Sequence, residues 1–181
     1  PADLVLVVGD VTSTMACAIT AQKLHTKVAH VEAGIRSGDW SMPEEINRLI
    51  TDSITNYFFT TTESAGNNLR KSGIADDQIF FVGNTMIDTL KVQEACFMKP
   101  GFWQEYELEA GKYLVLTLHR PSNVDHKEQL TELVKVMEEN TGGIPVIFPV
   151  HPRTRARMDS FGIQIDNIKL VDPMSYLEFN Y

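Results

Sequence analysis

Residues 30–52 read HVEAGIRSGDWSMPEEINRLITD. An apolar run that includes Val28, Ala29 and Val31 ends here, in a segment crowded with acidic and basic side chains. Folding alone does not require such a density of charge, so we expect this segment to bind a ligand. Glu32 directly follows the apolar run, at the carboxyl end of a strand, where open parallel sheets bind their ligands.

Glu44 has two interpretations that the sequence leaves open. It follows Ser41 by three residues, with Pro43 between them, and this spacing is typical of a capping box at the start of a helix. The carboxylate would then cap the start of the helix and take no part in a reaction. The helix itself is predicted from apolar residues at helical spacing, which are expected to face a core. These residues are Ile46, Leu49, Ile50 and Ile54.

Short apolar strands alternate with helical patterns along the whole chain. Strands are predicted over residues 4–8, 27–31, 57–61, 79–82, 113–118, 145–150 and 168–171. Strands that are apolar throughout and separated by helices indicate parallel sheets covered by helices on both faces. The fold class is therefore α/β. Turn residues and aromatic residues mix over residues 98–111, and this shift in composition predicts a domain boundary or hinge near residues 84–112.

Composition excludes several classes of function. The net charge of −8 argues against a nucleic-acid partner, which needs a contiguous basic surface. No apolar run approaches the ~18 residues of a membrane span. Cys17 and Cys96 lack the spacing of a metal site, so we expect no metal and a reducing, cytoplasmic compartment.

Four polar residues each follow the last residue of a predicted strand: Asp10, Glu32, His119 and His151. The carboxyl ends of parallel strands share one edge of a sheet, so these groups are expected to converge within each half. Singly, each has an ordinary interpretation as a turn, core or strand-end residue. Together, carboxylates and a histidine suit proton transfer on a substrate that carries phosphates. The arginines expected nearby are Arg36, Arg48 and Arg120.

Six short strings resemble one enzyme family, in that family's order and spacing. They are VGDVTST (8–14), HVEAGIRS (30–37), PEEINR (43–48), VGNTMID (82–88), TLHRPSNVD (117–125) and PVHPR (149–153). The chain is similar in these strings to the non-hydrolysing UDP-N-acetylglucosamine 2-epimerases. The strings cover nearly the whole chain, so the resemblance is specific.

The resemblance implies a GT-B fold of two Rossmann-like halves, each incomplete in this chain, with the active site in the cleft between them. Residues 1–84 would be the C-terminal part of the first domain, residues 85–111 a connecting helix and linker, and residues 112–181 the N-terminal part of the second, UDP-binding domain. The implied reaction interconverts UDP-N-acetylglucosamine and UDP-N-acetylmannosamine, for cell-envelope polysaccharide biosynthesis, without NAD or metal. The C2 proton is removed, UDP is eliminated to leave 2-acetamidoglucal, and UDP is added back.

Matching the motifs assigns roles to individual residues. The family's catalytic carboxylates fall on Asp10, Glu32 and Glu44, of which Glu32 and Glu44 would transfer the C2 proton and Asp10 would orient them. Its essential histidine falls on His119, which would assist the departure of the diphosphate. The substrate would be bound by Arg36, Arg48, Arg120, Asn123, Tyr176 and Phe179, the last two near the uracil. His151 resembles a contact for a second, allosteric UDP-N-acetylglucosamine.

The chain also departs from the family pattern. It lacks the family's opening GTRPE loop and its later DSGG and Glu-Glu segments, so we expect a fragment that binds UDP weakly and has little activity alone. The resemblance further implies a homodimer. A hydrolysing 2-epimerase that releases N-acetylmannosamine and UDP, and a non-catalytic nucleotide-sugar-binding fragment, remain the alternatives.

Overall fold

A computed structural model describes residues 2–118, 121–163, 165 and 167–181. The chain divides into two compact units, residues 1–92 and residues 93–181. Each contains a parallel sheet with helices between successive strands, so the prediction of an α/β chain with two Rossmann-like halves is confirmed. The hinge role of residues 85–111 stays a prediction.

The first unit carries a four-stranded sheet. Its elements are β1 (Leu4–Val8), α1 (Thr12–Lys23), β2 (Lys27–Val31), α2 (Pro43–Ser53), β3 (Tyr57–Thr60), α3 (Glu63–Lys71), a 3-10 turn (Asp76–Gln78), β4 (Ile79–Phe81) and α4 (Thr85–Gln93). The strands are parallel in the order β1-β2-β3-β4. Val8 pairs with Val31, so β1 and β2 end side by side. This register brings Asp10 and Glu32 to the same edge of the sheet.

Two apolar clusters form the core of this unit. Val7 and Val28 pack against Ala18 and Ala21 of α1, and a second cluster joins Ala33, Phe58 and Leu69. The expectation that residues 4–8 are buried on both faces is wrong. β1 is an edge strand whose alternate side chains are solvent-exposed, because only the other face of the strand packs on α1. These exposed side chains are Leu4, Leu6 and Val8.

Helix α2 turns polar side chains inward. The expected apolar face is wrong for Ile46, which is 40% exposed, whereas Ile54, just past the helix, packs against the first cluster. The residues that α2 buries are Glu45, Asn47, Thr51 and Asp52. Buried carboxylates require partners, and α2 therefore organises a polar site rather than an apolar core.

The second unit carries a three-stranded sheet. Its elements are a 3-10 turn (Glu94–Cys96), α5 (Phe102–Glu105), β5 (Leu114–Val115), α6 (Pro121–Val124), α7 (Lys127–Asn140), β6 (Val146–Pro149), α8 (Pro152–Phe161), β7 (Ile168–Val171) and α9 (Tyr176–Phe179). The strands are parallel in the order β5-β6-β7. β5 is shorter than the predicted strand over residues 113–118.

The main core of the second unit lies between β6 and the helices on one face of its sheet. Leu130 and Val134 of α7 and Met158 of α8 pack against Val146 and Phe148. On the other face, aromatic residues surround a second cluster that contains Leu108, Ile147 and Val171; they are Phe102, Trp103, Tyr106 and Tyr113. Within the described parts of the chain, no helix combines the length and the apolar character that crossing a membrane requires.

Candidate active site

Asp10 is held by helix α2. Its Oδ2 accepts hydrogen bonds from Arg48 Nε at 2.9 Å and from Arg48 Nη2 at 2.7 Å. Asn47 Nδ2 donates to the Asp10 carbonyl at 2.8 Å. Two neighbouring residues of α2 therefore fix both the backbone and the side chain of Asp10, and the charge of Asp10 is balanced by a guanidinium.

Arg48 is in turn anchored by Glu45. Arg48 Nη1 donates to Glu45 Oε2 at 2.8 Å, so the guanidinium bridges two carboxylates. Arg48 therefore positions the Asp10 carboxylate. Its contact with a substrate, expected from the sequence, stays a prediction.

Glu45 also binds the middle of the loop between β2 and α2. Its carboxylate accepts hydrogen bonds from the N–H groups of Ser37 and Gly38 and from the Ser37 hydroxyl, over 2.9–3.1 Å. Burial raises the pKa of this carboxyl, but these bonds and Arg48 outweigh burial and lower the pKa from 4.5 to about 2. Glu45 is thus a fixed negative charge, and the matching of motifs did not identify it.

Glu32 stands at the end of β2 in a left-handed conformation, with φ of 69°. Non-glycine residues adopt this conformation rarely, and such backbone strain clusters at functional sites. The carboxylate lies over Gly9, where an added Cβ would be 3.6 Å from Glu32 Oε2. Glu32 is half-buried, and it makes no hydrogen bond or ion pair with the residues that the structure describes.

Glu44 lies in the first turn of α2, and the capping-box interpretation is wrong. The N-cap is Met42, which makes no side-chain cap, and the Ser41 hydroxyl donates instead to Asp39 at 2.6 Å. Glu44 is half-buried and, like Glu32, has no partner among the described residues. Glu32 and Glu44 are therefore available to bind or exchange a proton, whereas Asp10 and Glu45 are committed to Arg48.

Arg36 is oriented by Asp52. Its Nη1 lies 2.6 Å from Asp52 Oδ2 and donates to the Ile35 carbonyl at 2.8 Å, while 18% of its side chain remains exposed. Asp52 was not among the residues predicted for the site. One signal was present, because Glu45 and Asp52 are seven residues apart and two helical turns place both on one face of α2.

In the second unit, the predicted nucleotide-binding residues lie on two short helices. Asn123 is half-buried on α6, and Tyr176 and Phe179 lie on α9 with 48% and 47% of their surfaces exposed. A reciprocal capping box between Ser175 and Glu178 starts α9. His119 and Arg120, predicted to bind the diphosphate, lie outside the described residues.

Phe179 lines an apolar hollow in the second unit. Trp103 meets Tyr113 and Tyr181 edge-on, with ring centroids 5.2 and 5.1 Å apart. Aromatic surfaces of this kind suit a flat ring. The other aromatic side chain that lines the hollow is Phe102.

His151 caps helix α8. Its Nδ1 accepts a hydrogen bond from the Arg153 N–H at 3.2 Å, and Pro152 occupies the first turn. Arg153 pairs with Asp125 at 2.7 Å, and Arg157 lies 3.8 Å from the same carboxylate. Arg153 and Arg157 are exposed, and their contacts with Asp125 tie α8 to the residues just before α7. The allosteric role of His151 stays a prediction.

The described residues contain no group of three or more His, Cys, Asp or Glu side chains arranged to hold a metal ion. The first unit carries a group of carboxylates and arginines, and the second unit carries its own group of aromatic side chains.

Comparison with known proteins connects this arrangement to one family. The family model described as UDP-N-acetylglucosamine 2-epimerase matches residues 1–181. A UDP-N-acetylglucosamine 2-epimerase homolog of Methanococcus maripaludis is 45% identical over 186 residues, which is 99% of this chain and 51% of that protein. The chain spans about half the length of the curated relatives it matches.

Solved structures agree with the sequence comparison. The structure of the Methanocaldococcus jannaschii UDP-GlcNAc 2-epimerase in complex with UDP-GlcNAc and UDP is 42% identical, with a TM-score of 0.78 over 98% of this chain and 51% of that chain. The Neisseria meningitidis UDP-GlcNAc 2-epimerase bound to UDP-GlcNAc is 30% identical, with a TM-score of 0.81 over 99% of this chain and 51% of that chain. Both support the α/β GT-B fold that the resemblance implied.

Proposed function

Because the chain belongs to the UDP-N-acetylglucosamine 2-epimerase family, we propose that the protein containing it interconverts UDP-N-acetylglucosamine and UDP-N-acetylmannosamine. The observation that carries the proposal is a contrast among three carboxylates: Glu32 and Glu44 have no partner among the described residues, whereas Arg48 holds Asp10 in place. Epimerisation requires a proton to leave one face of C2 and to return on the other. Two available carboxylates provide an acid and a base for this exchange.

In the proposed reaction, one carboxylate removes the C2 proton and the C–H electron pair forms a C1–C2 double bond. The C1–O bond then breaks, and its electrons leave with UDP. Readdition of UDP to C1 accompanies protonation of C2 on the opposite face by the second carboxylate. The sequence of steps is redox-neutral, and we assign no cofactor to it.

The remaining residues bind and orient in this proposal. Arg48, anchored by Glu45, holds the Asp10 carboxylate in place, and Arg36 presents its guanidinium to the sugar or phosphate oxygens. We propose that the aromatic hollow at Phe179 takes the uracil, with Tyr176 and Asn123 as further contacts. His119 and Arg120 would stabilise the departing diphosphate.

Proton NMR of the full-length gene product with UDP-N-acetylglucosamine in deuterated water tests the proposal. We expect loss of the C2 proton signal and the appearance of UDP-N-acetylmannosamine. Glu32→Gln and Glu44→Gln should each slow the exchange by roughly 10²–10⁴-fold. Glu132→Gln, at an exposed position on α7, is the matched control and should not slow it.

The alternatives predict different spectra. Free N-acetylmannosamine would assign the protein to the hydrolysing epimerases. If UDP-N-acetylglucosamine binds but remains unchanged, the protein is better described as a nucleotide-sugar-binding protein, and the proposed epimerase activity is refuted.

Because the chain spans about half the length of its relatives, we expect the 181 residues alone to bind UDP weakly and to show little turnover. Rapid epimerisation by the isolated chain would contradict this. The cytoplasmic location and the homodimer expected from the sequence analysis stay predictions.

A further inference from the structure

We propose that Asp52 is a positioning residue of the reaction, which acts through Arg36, His30 and the peptide of Gly34. The inference rests on the proposed function and adds a residue that matching of family motifs does not assign. Asp52 lies in the last turn of α2 and is 4% exposed.

Both oxygens of Asp52 bind the segment that presents the catalytic groups. Oδ1 lies 2.7 Å from His30 Nδ1. Oδ2 lies 2.6 Å from Arg36 Nη1 and accepts a hydrogen bond from the Gly34 N–H at 3.1 Å. One carboxylate therefore holds the residues that lie on both sides of Glu32.

His30 extends this contact to the neighbouring strand. The ring is fully buried, and its Nε2 lies 2.9 Å from the carbonyl oxygen of Gly9. A carbonyl oxygen can only accept, so Nε2 is the donor in this hydrogen bond, while Nδ1 faces Asp52. Asp52, His30 and Gly9 thus form a continuous path from α2 to the residue before Asp10.

The Gly34 peptide is held from two sides. Its N–H binds Asp52, and its carbonyl accepts a hydrogen bond from Asn68 Nδ2 of α3 at 3.0 Å. With φ of 80°, a Cβ at Gly34 would lie 2.4 Å from the Ala65 carbonyl oxygen. The chain between Glu32 and Arg36 consequently has little freedom to shift. Asp52 and Asn68 are the two side chains described here that hold it at Gly34.

If Asp52 only supported the fold, a buried carboxylate would not be needed at this position. A buried charge costs free energy, and an apolar side chain of similar volume often stabilises a core as well. The side-chain contacts of Asp52 go to Arg36 and to His30 and Gly34, which each lie two residues from Glu32. The geometry therefore favours orientation of the catalytic groups, where small displacements cost much rate.

The test uses Asp52→Asn in the full-length gene product, with kcat and KM measured from C2 exchange in deuterated water. We expect kcat to fall by about 100-fold, the cost of a displacement of ~1 Å at a reacting group. Asp77→Asn, which removes the same charge from an exposed position, is the control and should not alter kcat. Asp52→Asn with kcat within about twofold of the wild type would overturn the proposal.

A double-mutant cycle separates positioning from general support of the fold. If Asp52 acts through Arg36, the effect of Asp52→Asn on kcat/KM should shrink by about tenfold in an Arg36→Ala background. If the effects of Asp52→Asn and Arg36→Ala on kcat/KM simply multiply in the double mutant, Asp52 does not act through Arg36. If Asp52→Asn does not fold, His30→Gln can be used instead, because it interrupts the same path from Asp52 to Gly9. An unchanged kcat in His30→Gln would then refute the proposal.

An NMR measurement that does not depend on turnover distinguishes this inference from the proposed function. In the ¹⁵N-labelled chain, Asp52→Asn should shift the amide signals of Gly34 and Asp10, since both ends of the path lose their anchor. Unchanged Asp10 signals would overturn the inference, whether or not the protein is an epimerase. Shifted signals in a protein without C2 exchange would refute only the proposed function.

Discussion

Glu44 and Glu45 are neighbours in sequence with opposite environments. Glu44 has no partner among the described residues, whereas Glu45 is buried beneath two backbone N–H groups and Arg48. A helix turns by about 100° per residue, so consecutive side chains face different surroundings. One side chain can therefore exchange protons while the next serves only as a fixed charge.

The environment of Glu45 predicts a pH dependence of stability. Its pKa falls from 4.5 to about 2 on folding, so the unfolded chain binds more protons between these values. The stabilisation is complete above about pH 4.5 and is lost as the pH falls towards 2. The free energy of unfolding contributed by this shift is on the order of 3 kcal/mol.

Urea unfolding of the 181-residue chain between pH 5 and pH 3 measures this dependence. We expect Glu45→Gln to be less stable than the wild type at pH 5 and to lose less stability as the pH falls. Glu44→Gln is the matched control, with the same chemical change one residue away, and should retain the wild-type slope. Equal slopes for the wild type and Glu45→Gln would show that the bonds to Ser37, Gly38 and Arg48 do not govern the titration.

At the scale of the element, helix α2 is the part of the first unit that assembles the site. Its inward face carries Glu45, Asn47 and Asp52 rather than an apolar stripe. These side chains reach the ends of β1 and β2 and the loop between β2 and α2. Polar contacts therefore tie the helix to the sheet, and under the proposed function the same contacts orient the catalytic carboxylates.

Helix α8 offers a prediction about His151. Its imidazole caps the helix through the Arg153 N–H, so His151→Ala should lower the free energy of unfolding by about 1 kcal/mol. Asparagine is a good N-cap residue, and His151→Asn should keep the stability of the wild type. Urea unfolding of the three chains measures this effect. Equal stability of His151→Ala and the wild type would show that the cap contributes nothing.

The asparagine variant also isolates the predicted allosteric role. If His151 contacts a second nucleotide sugar, His151→Asn in the full-length gene product should lose activation by UDP-N-acetylglucosamine without losing stability. Activation that persists in this variant would leave His151 as a cap alone.

At the scale of the whole molecule, the chain has two units with separate cores. Among the described residues, two apolar clusters lie in the first unit and two in the second. The two tryptophans are also divided, since Trp40 is 72% exposed in the first unit and Trp103 packs among aromatic rings in the second. Fluorescence can therefore follow one unit by itself.

We expect the Trp40→Phe chain to unfold in two steps, because each unit buries its own apolar surface. Trp103 fluorescence should report the second unit, while far-UV circular dichroism reports both. The urea transitions recorded by the two probes should then differ in midpoint. Coincident transitions would show that the two units unfold as one cooperative body.

The sequence by itself determined the strand order along the chain and the polar residues at the strand ends. β1, β2 and β7 have the predicted bounds, because an apolar run closed by a turn is a local signal. Asp10 and Glu32 were placed correctly at the edge of one sheet by the same reasoning, since parallel strands share their carboxyl ends.

Only the tertiary structure decided which of the charged side chains are paired and which are available. Arg48 and Asp10 are 38 residues apart in the chain, and His30 and Asp52 are 22 apart. Local patterns carry no record of such contacts, which depend on how α2 lies against the sheet. Asp52 and Glu45 were therefore not among the residues predicted for the site, and Glu44 kept two interpretations until its missing cap excluded one. A side chain's partners are set by three-dimensional proximity, whereas periodicity reports only which way it faces along its own element.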